Sequence, residues 1–339
     1  MKILVENSTW NNVGDGWYQY SLYYLIKKIF PHAKVVMGEG PVRRAFRIKN
    51  EMQHKNALNL LDWKSADIHI FSGPMLKSLI KDYGLAIQKL KERGENYAFI
   101  SVSGTAVTED QKKEISEFLN KYPPILFSTR DRETFNNFKD VVNNAYDGIC
   151  TAFLVNKTMD LDIINFDQKF FISSFYTQNE PEFVLKGNFC IENIQVNQRN
   201  NIYNLPYKYS RHLNYKLPQQ AALDGYKIIR LVQDLNTKFN HINFSLPNSF
   251  ISFNPISYLE VIKSAEFVIS DRVHACAISL ACGNPARFMF ETPRAGIFDR
   301  LNFDYKSNRG IMYPNDQIIE DEMSKLIKKI KESFAPFDN

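Results

Sequence analysis

An arginine and a histidine lie two residues apart in Ser270-Asp271-Arg272-Val273-His274, where an apolar run gives way to a helical pattern. An arginine fork pairs bidentately with phosphate or carboxylate. An imidazole is the side chain best matched to proton transfer near neutral pH. At the carboxyl end of a strand these groups can meet a ligand. Arg272 and Ser270 are therefore candidates for holding an anion, and His274 for moving a proton. The competing reading is a surface pair of Asp271 with Arg272 and a helix-packing His274. Cys276 is next but one to His274, but residues at that spacing on a helix point apart, so no thiol–imidazole pair is expected.

A second constellation is Asn11-Asn12-Val13-Gly14-Asp15-Gly16, between the first apolar run and the first helix. Glycine lets backbone approach a ligand, and a helix start offers N–H groups with partial positive charge. Asn12, Gly14 and Asp15 are thus ligand candidates, with helix capping by Asp15 as the competing role. The segment is neither G-x-G-x-x-G nor a Walker loop, so no dinucleotide or nucleoside triphosphate follows from it. A third, Ser128-Thr129-Arg130-Asp131-Arg132-Glu133, again ends a strand; it can cap the next helix, and Arg130 is a further anion candidate. Arg294 opens a helix, where a cation opposes the dipole, so it is a candidate for reaching into a cleft. Arg199 sits in an Asn-, Tyr- and Pro-rich stretch, 177–220, whose irregular pattern suits a binding loop. His69, inside an apolar run, reads as a core residue. Arg43, Arg44, Arg47 and Lys49 surround Phe46 in a solvated or acceptor-facing loop. No stacking-aromatic array accompanies them, so nucleic acid is not expected. No His, Cys or carboxylate spacing suggests a metal site.

These residues need a frame. Apolar runs predict strands over 3–6, 34–37, 68–71, 97–102, 125–128 and 141–145. Between them, helical spacing appears after residue 16 (Tyr18, Leu22, Leu25, Ile26, Ile29) and over 76–90, 109–120 and 133–138. A polar stretch, 155–168, reads as a linker. Strands over 170–175, 227–232, 250–253, 267–270 and 286–290 follow, with helices over 257–265, 273–282 and 317–334. Such alternation predicts parallel sheets covered on both faces. The expected division is a first domain at 1–154, a linker at 155–168, a second domain at 169–315, and a final helix at 316–339 placed where it can return to the first domain. The fold class is α/β, with two Rossmann-like doubly wound domains facing a cleft, and ligands belong outside the carboxyl ends of the strands.

The chain's 339 residues suit two such domains, each large enough to bury a core without disulfides. Its 44% apolar and 23% charged residues exclude a disordered or fibrous chain. The net charge of +5 is mild and fits an anionic small ligand or membrane surface. The four cysteines form no C-x-x-C pair, as expected of reduced thiols. The N-terminal apolar run is too short for a signal peptide and no segment spans a bilayer. The expected location is therefore cytoplasmic. The basic face of the last helix (Lys328, Lys329, Lys331) offers one peripheral contact with the inner face of a membrane. Oligomeric state is left open.

Taken together, these motifs resemble the polysaccharide pyruvyl transferases. Asn12-Val13-Gly14-Asp15 resembles that family's early N-x-G-D turn, Ser128–Glu133 its strand ending in Arg-Asp, and Asp147-Gly148 its Asp-Pro. The stretch 267–285, with Ser270, Arg272, His274 and then Gly283-Asn284-Pro285, is similar to its S-x-R-x-H and G-x-P signature. The resemblance implies a GT-B-like fold. It also implies transfer of a pyruvyl group from phosphoenolpyruvate onto two hydroxyls of a sugar, in a polysaccharide or lipid-linked precursor, giving a cyclic ketal. No cofactor beyond the donor is implied. Arg272 and the amides at Gly14 would then hold the donor. His274 and Asp15 would be acid and base, in either order.

Two departures stand out. Only Gly73 remains of a glycine-rich run after the third strand, and 170–176 carries no arginine where the family has one, leaving Arg199 or Arg294 to supply that contact. Two other functions suit the same residues: a glycosyltransferase using a nucleotide sugar, and a non-catalytic glycan- or anion-binding protein.

Overall fold

The computed structural model describes residues 1–7, 12–46, 48–197, 219–235 and 240–338. Arg199 and Arg47 lie outside the described residues, as does 198–218 of the 177–220 stretch.

The first sheet contains β1 (Lys2–Val5), β2 (Lys34–Met37), β3 (Ile68–Gly73), β4 (Asn96–Val102), β5 (Phe127–Thr129) and β6 (Ala145–Tyr146) in the order β2-β1-β3-β4-β5-β6, all parallel. β3 is buried at every position, as expected of a strand covered on both faces. The covering helices are α1 (Val13–Ile29), α2 (Val42–Phe46), α3 (Glu51–Asn56), α4 (Gly84–Glu92), α5 (Glu109–Lys121) and α6 (Arg132–Phe138). All five apolar positions read as the inner face of α1 are buried. The strand expected over 141–145 is confined to Ala145–Tyr146, because 139–144 turns before it pairs with β5.

The stretch expected as a linker begins as helix α7 (Val155–Thr158), packed on α1 through a Ser21–Thr158 hydroxyl pair at 3.0 Å. Its length gave no hint of this, since one helical turn is too short for periodicity to register.

The second sheet contains β7 (Phe170–Ser174), β10 (Ala222–Leu223), β11 (Tyr226–Leu231), β12 (Ser249–Phe250), β13 (Val268–Ser270), β14 (Ala286–Phe288) and β15 (Ile311–Met312). β8 (Glu182–Leu185) and β9 (Ile194–Asn197) form a separate antiparallel hairpin. The order is β10-β11-β7-β13-β14-β15, with β12 also on β11. The sheet is mixed rather than purely parallel: β10 and β15 run antiparallel at its edges. Its helices are α8 (Pro255–Lys263), α9 (Val273–Ala281) and α10 (Gly296–Arg300), and the chain ends in α11 (Asp316–Phe334).

In each sheet the strand order reverses at one point. The chain leaves β1 for β2, then returns to the other side as β3. Likewise it leaves β7 for β11 and returns as β13. Crevices outside the carboxyl ends of strands open at such switch points. A single apolar core joins the halves, with Leu22, Leu25 and Ile26 of α1 in the same cluster as Leu259, Ile262 and Ile278. Trp17 and Tyr258 bring their rings to 6.0 Å. α11 lies on the first half, where Phe334 stacks on Phe30 at 5.8 Å.

Candidate active site

A cavity of about 280 Å³ lies where the two switch points face each other. The first half supplies Asn12, Asp15, Pro74 and Arg130, and the second Tyr176, Asp271, Arg272, His274 and Arg294.

Arg272 occupies the cap position of α9 in an extended backbone conformation, so its side chain leaves the helix. Its Nη2 donates to Asn12 Oδ1 at 2.9 Å, and its guanidinium lies 4.7 Å from the Tyr176 ring centre. These contacts hold the fork across the cleft. Asp271 does not form the surface pair that its sequence allows. It is buried, and its carboxylate accepts from the backbone amides of Tyr176, Thr177 and Gln178 at 2.6–3.1 Å. It thereby fixes the turn after β7 that carries Tyr176. Burial pushes its pKa up, opposed by those amides and by Arg272. Sequence reading had no signal for this role, because the amides come from 93–95 residues away.

Ser270 was expected among the ligand contacts but does not line the cavity. It is fully buried; its hydroxyl donates to Ser174 O at 2.6 Å and accepts from Arg272 N at 2.8 Å. The residue directs Arg272 outward and is not itself presented to a ligand. Cys276 also turns away, toward the Arg287 carbonyl at 3.7 Å, so it forms no thiol–imidazole pair.

His274 is partly open to the cavity. Its Nε2 lies 3.3 Å from Arg130 Nη1, and its ring centre 5.1 Å from that of Tyr18. Arg130 can only donate, so Nε2 is the acceptor and the imidazole proton is assigned to Nδ1. Burial first, then Arg130, Arg294 and Arg272, hold His274 well below the usual histidine value, while a hydrogen bond with the Gly14 backbone opposes them. The imidazole is therefore neutral near pH 7.

Arg130 is itself buried, with its guanidinium 5.9 Å from the Tyr18 ring centre. The adjacent Asp131 takes the capping task, accepting from Thr134 N at 2.8 Å. The motif thus divides its work: Asp131 starts α6 and Arg130 enters the cavity.

The start of α1 differs from expectation. Asn12, not Asp15, is its cap, and accepts from Gly14 N at 3.2 Å. Val13 N donates to Gln233 O at 2.8 Å. The Gly14 amide expected to meet an anion is therefore occupied. The helix start in this cavity without a side-chain cap is that of α9. An anion would meet its amides and the arginines together. Gly14 still has a steric role: a Cβ there would stand 3.5 Å from His274 Nδ1 and 3.3 Å from Asn12 Oδ1. Asp15 is buried at the first-half wall.

Arg294, on the turn Pro293–Ala295, is exposed overall but lines the cavity. Desolvation first and then Arg130 lower its pKa, with Asp15 opposing. Gly73 retains a clear reason to be glycine: its φ is +95°, and a Cβ would collide with the Tyr18 hydroxyl at 2.1 Å. Asp147 lies outside the cavity, paired with Arg300 at 3.1 Å. Among the described residues, no three His, Cys, Asp or Glu side chains gather as a metal site would require.

The arrangement is a small pocket with three arginines, one neutral imidazole and two carboxylates, Asp15 and Asp271, the second already engaged by backbone amides. It suits a compact ligand with more than one negative charge.

The family described as "Polysaccharide pyruvyl transferase" matches residues 12–289. A UDP-N-acetylglucosamine 2-epimerase from Listeria monocytogenes, so described provisionally, is similar in structure with a TM-score of 0.53 at 9% identity, covering 98% of this chain and 96% of that one. The S. aureus MnaA–UDP co-structure gives 0.53 at 10%, covering 97% and 96%. At such identities the likeness is one of GT-B-type fold. No curated protein matches the sequence significantly.

Proposed function

The chain belongs to the polysaccharide pyruvyl transferase family, and from that premise we propose that it transfers a pyruvyl group from phosphoenolpyruvate to two hydroxyls of one sugar, giving a cyclic ketal. Membership implies a sugar or glycan acceptor. The observation that carries the donor assignment is the convergence of Arg130, Arg272 and Arg294 on one small cavity beside His274. Phosphoenolpyruvate carries a phosphate and a carboxylate close together, and arginine forks suit both.

In the proposed reaction a proton is added to the methylene carbon of the donor, and positive charge develops at the central carbon. The first sugar hydroxyl attacks that carbon and loses its proton. The carbon–oxygen bond to phosphate then breaks. The second hydroxyl attacks the same carbon and loses its proton. One proton ends in the new methyl group and one on released phosphate, so the sum balances. His274 is assigned as the proton donor to carbon. It is neutral in the free protein, so it must gain its proton as the donor binds. The incoming polyanion would offset the surrounding arginines and permit this. Asp15, on the opposite wall, is assigned as the acceptor of the hydroxyl proton.

The test is phosphate release from phosphoenolpyruvate with a panel of sugar acceptors. A product gaining the mass of a pyruvyl ketal supports the reading, and no acceptor-dependent phosphate release defeats it. The UDP in the S. aureus neighbour motivates a second reading, a nucleotide-sugar donor. Thermal stabilisation by uridine diphosphate sugars but not by phosphoenolpyruvate would select it.

A further inference from the structure

The final helix, α11, carries Lys325, Lys328, Lys329 and Lys331 along its second half, but Asp316, Glu320 and Asp321 are exposed on its first, and its apolar positions Ile319, Leu326, Ile330 and Phe334 are all buried in the core. It has no apolar face left for a membrane. A different segment does. Of the eleven exposed large apolar side chains among the described residues, five lie between Phe46 and Trp63: Phe46, Met52, Leu58, Leu60 and Trp63, each 46–83% exposed. Residues 42–64 also hold six Lys or Arg against Glu51 and Asp62, a net +4 out of +5 for the whole chain. Large apolar patches on soluble surfaces mark binding sites, and single scattered ones do not.

The segment is held in place at both ends. Gly40 N donates to Glu6 Oε2 at 3.1 Å, and the other Glu6 oxygen meets buried His69 at 2.8 Å. At the far end Asp62 pairs with Lys89 at 2.6 Å, and Leu61 enters the core between exposed Leu60 and Trp63. Arg43 bonds Glu51 at 3.2 Å, joining α2 to α3 around an open groove of about 610 Å³ lined by Phe46, Ile48 and Lys49. The apolar side chains are therefore presented by an anchored segment.

We propose that the described residues of 42–64 dock the protein on an anionic lipid bilayer, with Phe46 and Trp63 entering the interfacial layer and the exposed Lys49 and Lys55 meeting lipid headgroups. Aromatic rings beside Lys and Arg are the composition of that layer, and polybasic segments are drawn to anionic lipid. A second copy of the chain is the poorer occupant, because a two-fold contact would set +4 against +4. The proposal does not depend on the donor.

The test is co-sedimentation of the full chain with vesicles of phosphatidylcholine alone, or of phosphatidylcholine and phosphatidylglycerol in equal parts. At least about tenfold more protein should bind the anionic vesicles. Phe46→Ser with Trp63→Ser should abolish that binding at an unchanged melting temperature, since both side chains are exposed. Lys49→Ser with Lys55→Ser should weaken binding to the anionic vesicles and make the remainder less sensitive to salt, since fewer charges are left to screen. Binding to neither vesicle, equal binding to both, or binding untouched by the variants overturns the proposal. So does a dimer in solution that the Phe46/Trp63 variant converts to monomer.

Discussion

Arg130 of the first half and His274 of the second meet across the cleft, Nη1 3.3 Å from Nε2, although 144 residues separate them in the chain. The contact requires a neutral imidazole in the free protein, so the proposed role of His274 predicts proton uptake on donor binding. Calorimetry of phosphoenolpyruvate binding at pH 7 in buffers of different ionisation heat should reveal it. Arg130→Met removes a cation next to His274, so its free pKa rises and uptake shrinks. Turnover should fall on the order of 10²-fold, because the proton donor is no longer set by the donor's arrival. Heat independent of buffer would remove His274 from this role.

The same lowered pKa makes a statement about stability. The folded value lies below the unfolded value of about 6.5. Between the two, the unfolded chain binds the extra proton, so stability is present above about pH 6.5 and declines as pH falls toward the folded value. His274→Gln should flatten this part of the melting-temperature profile. A profile identical to that of the parent protein would contradict the assignment.

Arg272 should serve binding more than folding. Removing a charge-assisted contact costs about 1.5–3 kcal/mol, so Arg272→Ala should weaken donor binding roughly ten- to a hundredfold. Its remaining partners, Asn12 and Tyr176, stay partly solvated, and the melting temperature should move little. A loss of several degrees with intact donor affinity would make the residue structural.

Asp271 should show the opposite balance. Asp271→Ala strips three backbone amides of their acceptor and should cost about 2–4 kcal/mol in denaturant unfolding. Asp271→Asn, which keeps one oxygen, should recover part of it. Equal stability of both variants and the parent would refute the anchoring role.

Gly14→Ala tests geometry alone. In a helix the change by itself favours stability by up to about 1 kcal/mol. Here the new methyl presses on Asn12 Oδ1 at 3.3 Å, the oxygen that holds Arg272, and only touches His274 Nδ1 at 3.5 Å. Stability should hold while donor binding weakens severalfold, since the arginine's anchor must shift. Unchanged donor affinity would show that Asn12 yields without moving Arg272.

The sequence by itself determined the alternation of strands and helices, and where Arg272, His274 and Arg130 sit along them, because burial periodicity and strand-end position are local properties. It also marked Asn12-Val13-Gly14-Asp15 as a helix start. It pointed to Asp15 as the cap where the structure has Asn12, since both residue types cap equally well and only backbone angles separate them. The exposed character of Phe46 to Trp63 was hidden too, since an apolar residue in sequence looks the same whether or not a partner covers it. Tertiary structure alone decided which cations share a cavity, that Asn12 reaches Arg272 over 260 residues, that Ser270 faces inward and that Asp271 gathers amides. The first two depend on how the two sheets face each other, a placement set by the shared core around α1, and the last two on the pairing of β13 with β7 across about 95 residues; none is written in a single stretch of chain.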